Sequence, residues 1–253
     1  MGAASRRPHF YVSTWTKVAG METVAIIPAA GSGQRLRLET PKAFVPLGGR
    51  TLLEHAVAGA LNAGMQMVVI AVPRDLEARA KDMFRSQPNV QTVIGGTERT
   101  ESVRNALAAI EDKPSYALVH DAARPLTPRR VFDRVLTALR AGHRNVVPVL
   151  PVSDTVRTLA SQQPQDVASL GVPVERARLR AVQTPQGFAF DDLVAAHDQY
   201  AHDSSTQVTD DASLLEVMGI PAVGVEGSHE AFKITHPLDL ELARMMCARK
   251  EDA

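Results

Sequence analysis

Short apolar runs rich in β-branched residues punctuate the first half of the chain, at residues 23–27, 65–72, 90–94, 116–121 and 145–152. Between them lie segments with the apolar period of a helix, at 51–62, 75–85, 99–111 and 128–141. Buried strands alternating with helices leave few solutions. Successive strands run parallel, and each crossover helix covers a face of the sheet. Gly64 and Gly142 stand where helices would end, the position that favours a left-handed residue. The expected class is therefore α/β, with a mostly parallel central sheet and helices on both faces.

The rhythm breaks after Val152. Residues 153–180 are poor in apolar side chains and alternate like exposed hairpin strands, at 155–159 and 174–182. A polar excursion this long is not a plain loop within a compact domain. It reads as a protruding β-arm, residues 151–182, whose edges need a partner, so a homodimer is expected. Helix patterning returns at 191–202, 210–218 and 237–248, with a strand at 221–227. Residues 21–253 are read as a single domain and 1–20 as a leader. Arg6 and Arg7 have no apolar run after them, which argues against a twin-arginine signal.

Charge excludes some functions. The chain has 28 Lys and Arg against 28 Asp and Glu, so bulk charge draws it to neither nucleic acid nor a membrane surface. Any anion site must come from local clustering. A single cysteine, Cys247, rules out an internal disulfide framework and a multi-cysteine zinc site, and suits a reducing, cytoplasmic setting. No histidine–cysteine cluster appears, so no tightly held structural metal is expected.

The clustering begins at residues 28–42, PAAGSGQRLRLETPK, directly after the first apolar run. Ligands of open α/β sheets bind beyond the carboxyl ends of strands. The dinucleotide fingerprint fails here, because Leu36 stands where its third glycine belongs, and no Gly-Lys-Ser/Thr follows. What remains is a glycine turn whose backbone N–H groups can approach an anion, followed by Arg35 and Lys42. Pro41 fixes its own φ and restricts Thr40, which partly sets the aim of Lys42. The plain alternative is a turn carrying two solvated cations.

This opening resembles that of the nucleotidyltransferases that move a nucleoside monophosphate onto a phosphorylated acceptor. Six further stretches narrow the likeness: GGTERTESVRNAL (95–107), VHDAARP (119–125), SDT (153–155), QTPQGF (183–188), TDDAS (209–213) and FKIT (232–235). With them, the sequence from Met21 to the last helix resembles the 2-C-methyl-D-erythritol 4-phosphate cytidylyltransferases of the non-mevalonate isoprenoid pathway. The resemblance implies a Rossmann-like nucleotidyltransferase fold. It also implies transfer of CMP from CTP to methylerythritol phosphate, giving 4-diphosphocytidyl-2-C-methyl-D-erythritol and pyrophosphate, assisted by Mg2+ or another divalent cation.

It further implies residue roles. Arg35 and Lys42 would stabilise the transition state, and Arg176 and Lys233 would position the acceptor phosphate. CTP would contact Ala29, Ala30, Gly31, Ser32, Gly33, Gly96, Thr97, Ser102, Asp121 and Ala122. The acceptor would meet Arg124, Thr155, Thr184 and Thr209. Metal would be held mainly by the CTP phosphates, with Asp121 as the protein carboxylate, and the arm would carry Arg176 into a neighbouring subunit's site. Local readings compete at several positions: a helix N-cap for Asp121 and Thr209, packing for His120, and a turn with a helix start at 95–103. Lys233, between Phe232 and Ile234, is expected on a strand aimed at a phosphate. Rival functions are a ribitol 5-phosphate or other polyol-phosphate cytidylyltransferase, a sugar-1-phosphate nucleotidyltransferase, and a catalytically silent nucleotide-binding module.

Overall fold

The structure is a computed structural model that describes residues 20–31, 33–36, 40–160, 168–202 and 208–251. The leader expected at 1–20 lies outside these residues except for Gly20, and so does Ser32. In chain order, β1 (Thr23–Pro28) leads through the glycine turn to the short hairpin β2 (Pro46–Leu47) and β3 (Arg50–Thr51). Then come α1 (Leu52–Asn62), β4 (Met67–Val72), α2 (Glu77–Met83), β5 (Val90–Ile94), α3 (Arg99–Ala108) and β6 (Tyr116–Val119). Next are α4 (Arg129–Arg140), β7 (Asn145–Pro151), β8 (Arg157–Leu159), β9 (Leu170–Pro173), β10 (Arg180–Val182) and β11 (Gln186–Ala189). The chain closes with α5 (Phe190–His202), α6 (Asp211–Val217), β12 (Val223–Glu226) and α7 (Pro237–Glu251).

β5, β4, β1 and β6 lie side by side and parallel. β11 then runs antiparallel between β6 and β7, while β12 joins β7 in parallel. Val24, Ala25, Ile26 and Ile27 of β1 are all fully buried, as a strand covered on both faces requires. Their alternation divides the core. Ala25 and Ile27 pack with α1 and α4 through Leu53, Val57, Phe132 and Val135, whereas Val24 and Ile26 pack with α3, α5 and α6 through Val103, Leu193 and Leu215. Each Val, Leu, Ile or Phe among them contributes roughly 1.5–3 kcal/mol when taken from water.

Local signals set the helix ends. Thr51 and Glu54 form a reciprocal capping box at the start of α1, with the Thr51 hydroxyl accepting from the Glu54 N–H at 3.1 Å. Gly64 and Gly142 follow α1 and α4 with φ of +89° and +99°. A third apolar cluster, with Leu36, Val45, Leu47, Ile234 and Leu240, fastens α7 beside the glycine turn.

Three local expectations need correction. The arm hairpin is β8 with β9, so its second strand falls earlier than 174–182; Arg176–Arg178 forms a 3-10 turn, and β10 returns to the central sheet, pairing Val182 with Val149 of β7. Alternating charge looks alike in a free hairpin and an exposed edge strand, which is why the sequence misleads there. Phe232–Thr235 is not a strand. It is an extended segment in which Ile234 is buried and its N–H donates to the Ala123 carbonyl at 2.8 Å. Asp210, not Thr209, caps α6, because the Asp210 carboxylate accepts from the Ser213 N–H at 3.0 Å and the Ser213 hydroxyl answers the Asp210 N–H. Among the described residues, no helix is long and apolar enough to cross a membrane.

Candidate active site

The parallel register brings the carboxyl ends of β1, β4, β5 and β6 to one edge, and hydrogen bonds continue past them into the loops. Ala29 donates to Ala71 at 2.7 Å, Gly95 to Val72 at 2.8 Å and His120 to Ile26 at 2.8 Å. Between these loops opens a cavity of about 240 Å³. Of the residues singled out in sequence, Ala29, Ala30, Gly31, Gly33, Arg35, Lys42, Gly96, Thr97, Ser102, Asp121, Ala122 and Lys233 line it. Gly33 has φ +67°, and a Cβ there would run into Lys42 Cβ, so glycine is what lets the turn lie against the lysine. On the opposite wall, a Cβ on Gly95 would come within 2.6 Å of Ala30 Cβ and 2.9 Å of Ser102 Oγ. Ser102 is itself buried; its hydroxyl accepts from Gly96 N–H at 3.0 Å and fixes that loop.

Charge gives the cavity its character. Asp121 is buried, with Lys233 Nζ 2.9 Å from Oδ2, Arg124 Nε 3.7 Å from the same oxygen and Arg99 Nε 3.6 Å from Oδ1. Burial would raise its pKa, but Arg99, Lys233 and Arg124 together hold the carboxyl well below the usual range. Lys42 is pushed the other way for an amine. Burial and the like charges of Lys233 and Arg35 bring it down to about 8 against the pull of Asp121. The cations lining this cavity thus outnumber its carboxylates in a chain of zero net charge. That makes an anion receptor.

Two further predicted residues, Arg124 and Thr184, do not line the cavity but brace its Asp121 loop from behind. Arg124 is buried and donates from Nη1 to the Ala231 carbonyl at 2.6 Å, tying the loop before Lys233 to the Asp121 loop. Thr184 Oγ1 accepts from the Asp121 N–H at 3.0 Å and lies 3.1 Å from His120 Nδ1. His120 packs at a tilt on Phe132, and burial pushes its pKa down to about 4, so the ring is neutral near pH 7, as its packing reading expects. Asp121 does not cap a helix, since α4 begins only at Arg129.

Arg176, Thr155 and Thr209 do not join the cavity. Arg176 and Thr155 are exposed and Thr209 lies in the loop before α6; Arg176 donates to the Ser153 carbonyl at 2.6 Å within the arm, and the Thr209 N–H donates to Ser213 Oγ at 3.3 Å. Conversely, the cavity wall includes Glu98 and Arg99, which sequence reasoning passes over inside the stretch 95–107. Among the described residues, no group of three or more His, Cys, Asp or Glu side chains is placed to hold a metal. The donor set fits a hard cation carried on substrate phosphates with one facing carboxylate, rather than an all-protein cage.

A family model described as 2-C-methyl-D-erythritol 4-phosphate cytidylyltransferase matches residues 23–249. Proteins of that name from Nocardia farcinica (strain IFM 10152) and Rhodococcus opacus (strain B4) are each 48% identical to this chain, covering 90% and 88% of it and 94% of their own lengths. The crystal structure of the enzyme of that name from Thermus thermophilus superposes with a TM-score of 0.73 at 38% identity, over 90% of this chain and 100% of its own. The 4-diphosphocytidyl-2C-methyl-D-erythritol synthase of Anaerococcus prevotii DSM 20548 gives 0.77 at 27% identity, over 91% and 100%. Sequence and fold agree across nearly the whole chain, which belongs to the 2-C-methyl-D-erythritol 4-phosphate cytidylyltransferase family.

Proposed function

We propose that the cavity transfers CMP from CTP to 2-C-methyl-D-erythritol 4-phosphate by in-line attack of the acceptor phosphate on the α-phosphate, releasing pyrophosphate for isoprenoid precursor synthesis. The observation that carries this reading is the meeting of Lys42 and Lys233 over Asp121 beside a glycine turn. The physical difficulty of the reaction is repulsion between two anions. The acceptor's second pKa is about 6, so it arrives as a nucleophile and needs no base. Asp121, held ionised by three cations, is a poor base in any case. The work left is alignment and charge stabilisation.

Backbone N–H groups of Ala29, Ala30, Gly31 and Gly33 cradle the triphosphate with Arg35, and Lys42 meets the α-phosphate. Gly96, Thr97, Ser102 and Ala122 border the cytosine and ribose. Lys233 exchanges its Asp121 partner for the acceptor phosphate, beside Arg124 and Thr184. Thr155 and Arg176 reach a second copy's acceptor, and Thr209, in the loop before α6, contributes to binding the acceptor. The exposed arm residues Leu159, Leu170 and Val172 suit such a partner. Mg2+ bound to the triphosphate would neutralise charge on the departing pyrophosphate, with Asp121 the carboxylate that faces it. A cytoplasmic setting suits the single cysteine and the phosphorylated substrates.

The test is pyrophosphate release with CTP and Mg2+, comparing methylerythritol phosphate with ribitol 5-phosphate. Release with the former alone is expected. Preference for ribitol 5-phosphate would move the assignment to that acceptor, and silence with both overturns the reading.

A further inference from the structure

Behind the cavity wall lies a buried charge pair that the transfer chemistry above leaves unused. Asp211, in the first turn of α6, is fully buried; Arg99 Nη1 approaches its Oδ2 to 2.6 Å, and His197 Nε2 hydrogen-bonds its Oδ1 at 3.0 Å. The same guanidinium lines the cavity and sets its Nε 3.6 Å from Asp121 Oδ1. Charges therefore alternate from Lys233 through Asp121 and Arg99 to Asp211. Strand side chains fix the far end. Gln186 Nε2 donates to Asp210 Oδ2 at 2.6 Å, and Asn145 Nδ2 donates to the Ala212 carbonyl at 3.1 Å, holding both flanks of Asp211.

We propose that Asp211 is a positioning residue for the nucleotidyl transfer, dividing Arg99 between two carboxylates so that Asp121 keeps an oxygen for Lys233. A buried ion pair adds little net stability, so what this one supplies is direction. Without the Asp211 charge, Arg99 is drawn wholly to Asp121, where it competes with Lys233 for the carboxylate. Lys233 then loses the partner that holds it in place for the acceptor phosphate. The inference rests on the transfer reading above.

A double-mutant cycle on the full chain tests it, with pyrophosphate release and thermal midpoints measured for wild type, Asp211→Asn, Arg99→Lys and the double variant. Each single change should lower kcat/KM by about 10–100-fold, mainly through kcat, and the double should fall no further than the worse single. Losses that multiply, or an Asp211→Asn protein that melts earlier yet turns over at the wild-type rate, overturn the proposal. Should Asp211→Asn fail to fold, His197→Gln replaces it in the cycle; a smaller loss, again not multiplying with Arg99→Lys, is expected, and multiplication overturns the proposal. An inactive wild type sinks the transfer reading and this proposal together, whereas an active one with independent losses sinks this proposal alone.

Discussion

Raising the pH should disarm the cavity at a point set by Lys42. Its amine is shifted from 10.5 to about 8 by burial and by the neighbouring Lys233 and Arg35. The charged form persists below about 8 and is lost above it, so at pH 9 only about a tenth of the free enzyme keeps this cation, where an ordinary lysine would still be almost wholly charged. kcat/KM for CTP reports the free enzyme, and should drop about tenfold between the neutral plateau and pH 9. With a triphosphate bound, the nearby phosphates favour the ammonium, so the alkaline limb of kcat should lie at higher pH than that of kcat/KM. For stability the sign is reversed from that of a lysine gaining an acid. The folded pKa lies below the unfolded one, so the native state is penalised at neutral pH by roughly 2 kcal/mol, once screening of a part-exposed amine is allowed for. That penalty fades as pH rises from about 8 toward 10.5. Initial rates of pyrophosphate release from pH 6.5 to about 10, with isothermal titration of CTP in parallel, check both limbs. A kcat/KM flat to pH 10 refutes the argument that crowding of like charge primes this lysine.

Gly33→Ala forces a Cβ into Lys42 at a positive φ, so turnover should fall by about 100-fold at a stability cost of about 1–2 kcal/mol, read by kcat and denaturant midpoint. Asp121→Asn leaves Lys233, Arg99 and Arg124 facing one another, and should cost about 3–5 kcal/mol in chemical denaturation. Because the folded pKa of Asp121 lies below its ordinary 3.8, its stabilisation is complete above about pH 4 and is lost as pH falls through the folded value. Wild type should therefore lose stability more steeply below pH 4 than the variant. If the arm carries Arg176 into a second copy, Lys42→Ala and Arg176→Ala proteins, each nearly inactive, should regain about a quarter of wild-type activity when unfolded and refolded together, and none if every site is built from one chain.

How much of this was legible beforehand depends on how local each signal is. The glycine turn, the capping box at Thr51 and the apolar alternation of β1 are written within a few residues, and the structure follows them. Asp211 is not legible in that way. Its burial against Arg99 depends on α6 coming back to the start of α3, more than a hundred residues away in sequence, and its own stretch, though part of the family likeness and a helix start, names no partner for it. Lys233 shows a subtler failure. The apolar residues around it fit a strand, yet they are apolar because Ile234 plugs a core under Ala123 and Phe232 packs beside it, with no ladder involved.

The crowding of cations also explains why Asp121 is so deeply committed. Arg35, Lys42, Lys233, Arg99 and Arg124 repel one another, and without an anion among them such a cluster would drive the loops apart. Asp121 serves as that anion in the resting enzyme. Its Oδ2 holds Lys233 at 2.9 Å, while Arg124, 3.7 Å from the same oxygen, is also anchored to the Ala231 carbonyl. If Lys233 takes the acceptor phosphate as proposed, the arrangement separates cations that stay from the one to be released. Lys233 keeps a partly exposed side chain held by the Asp121 carboxylate, so on the proposed reading a doubly charged phosphate would outcompete Asp121 for it while Arg124 stays anchored. The resting pair must then be strong enough to place Lys233 and weak enough to yield it, so a change in either direction should slow the reaction.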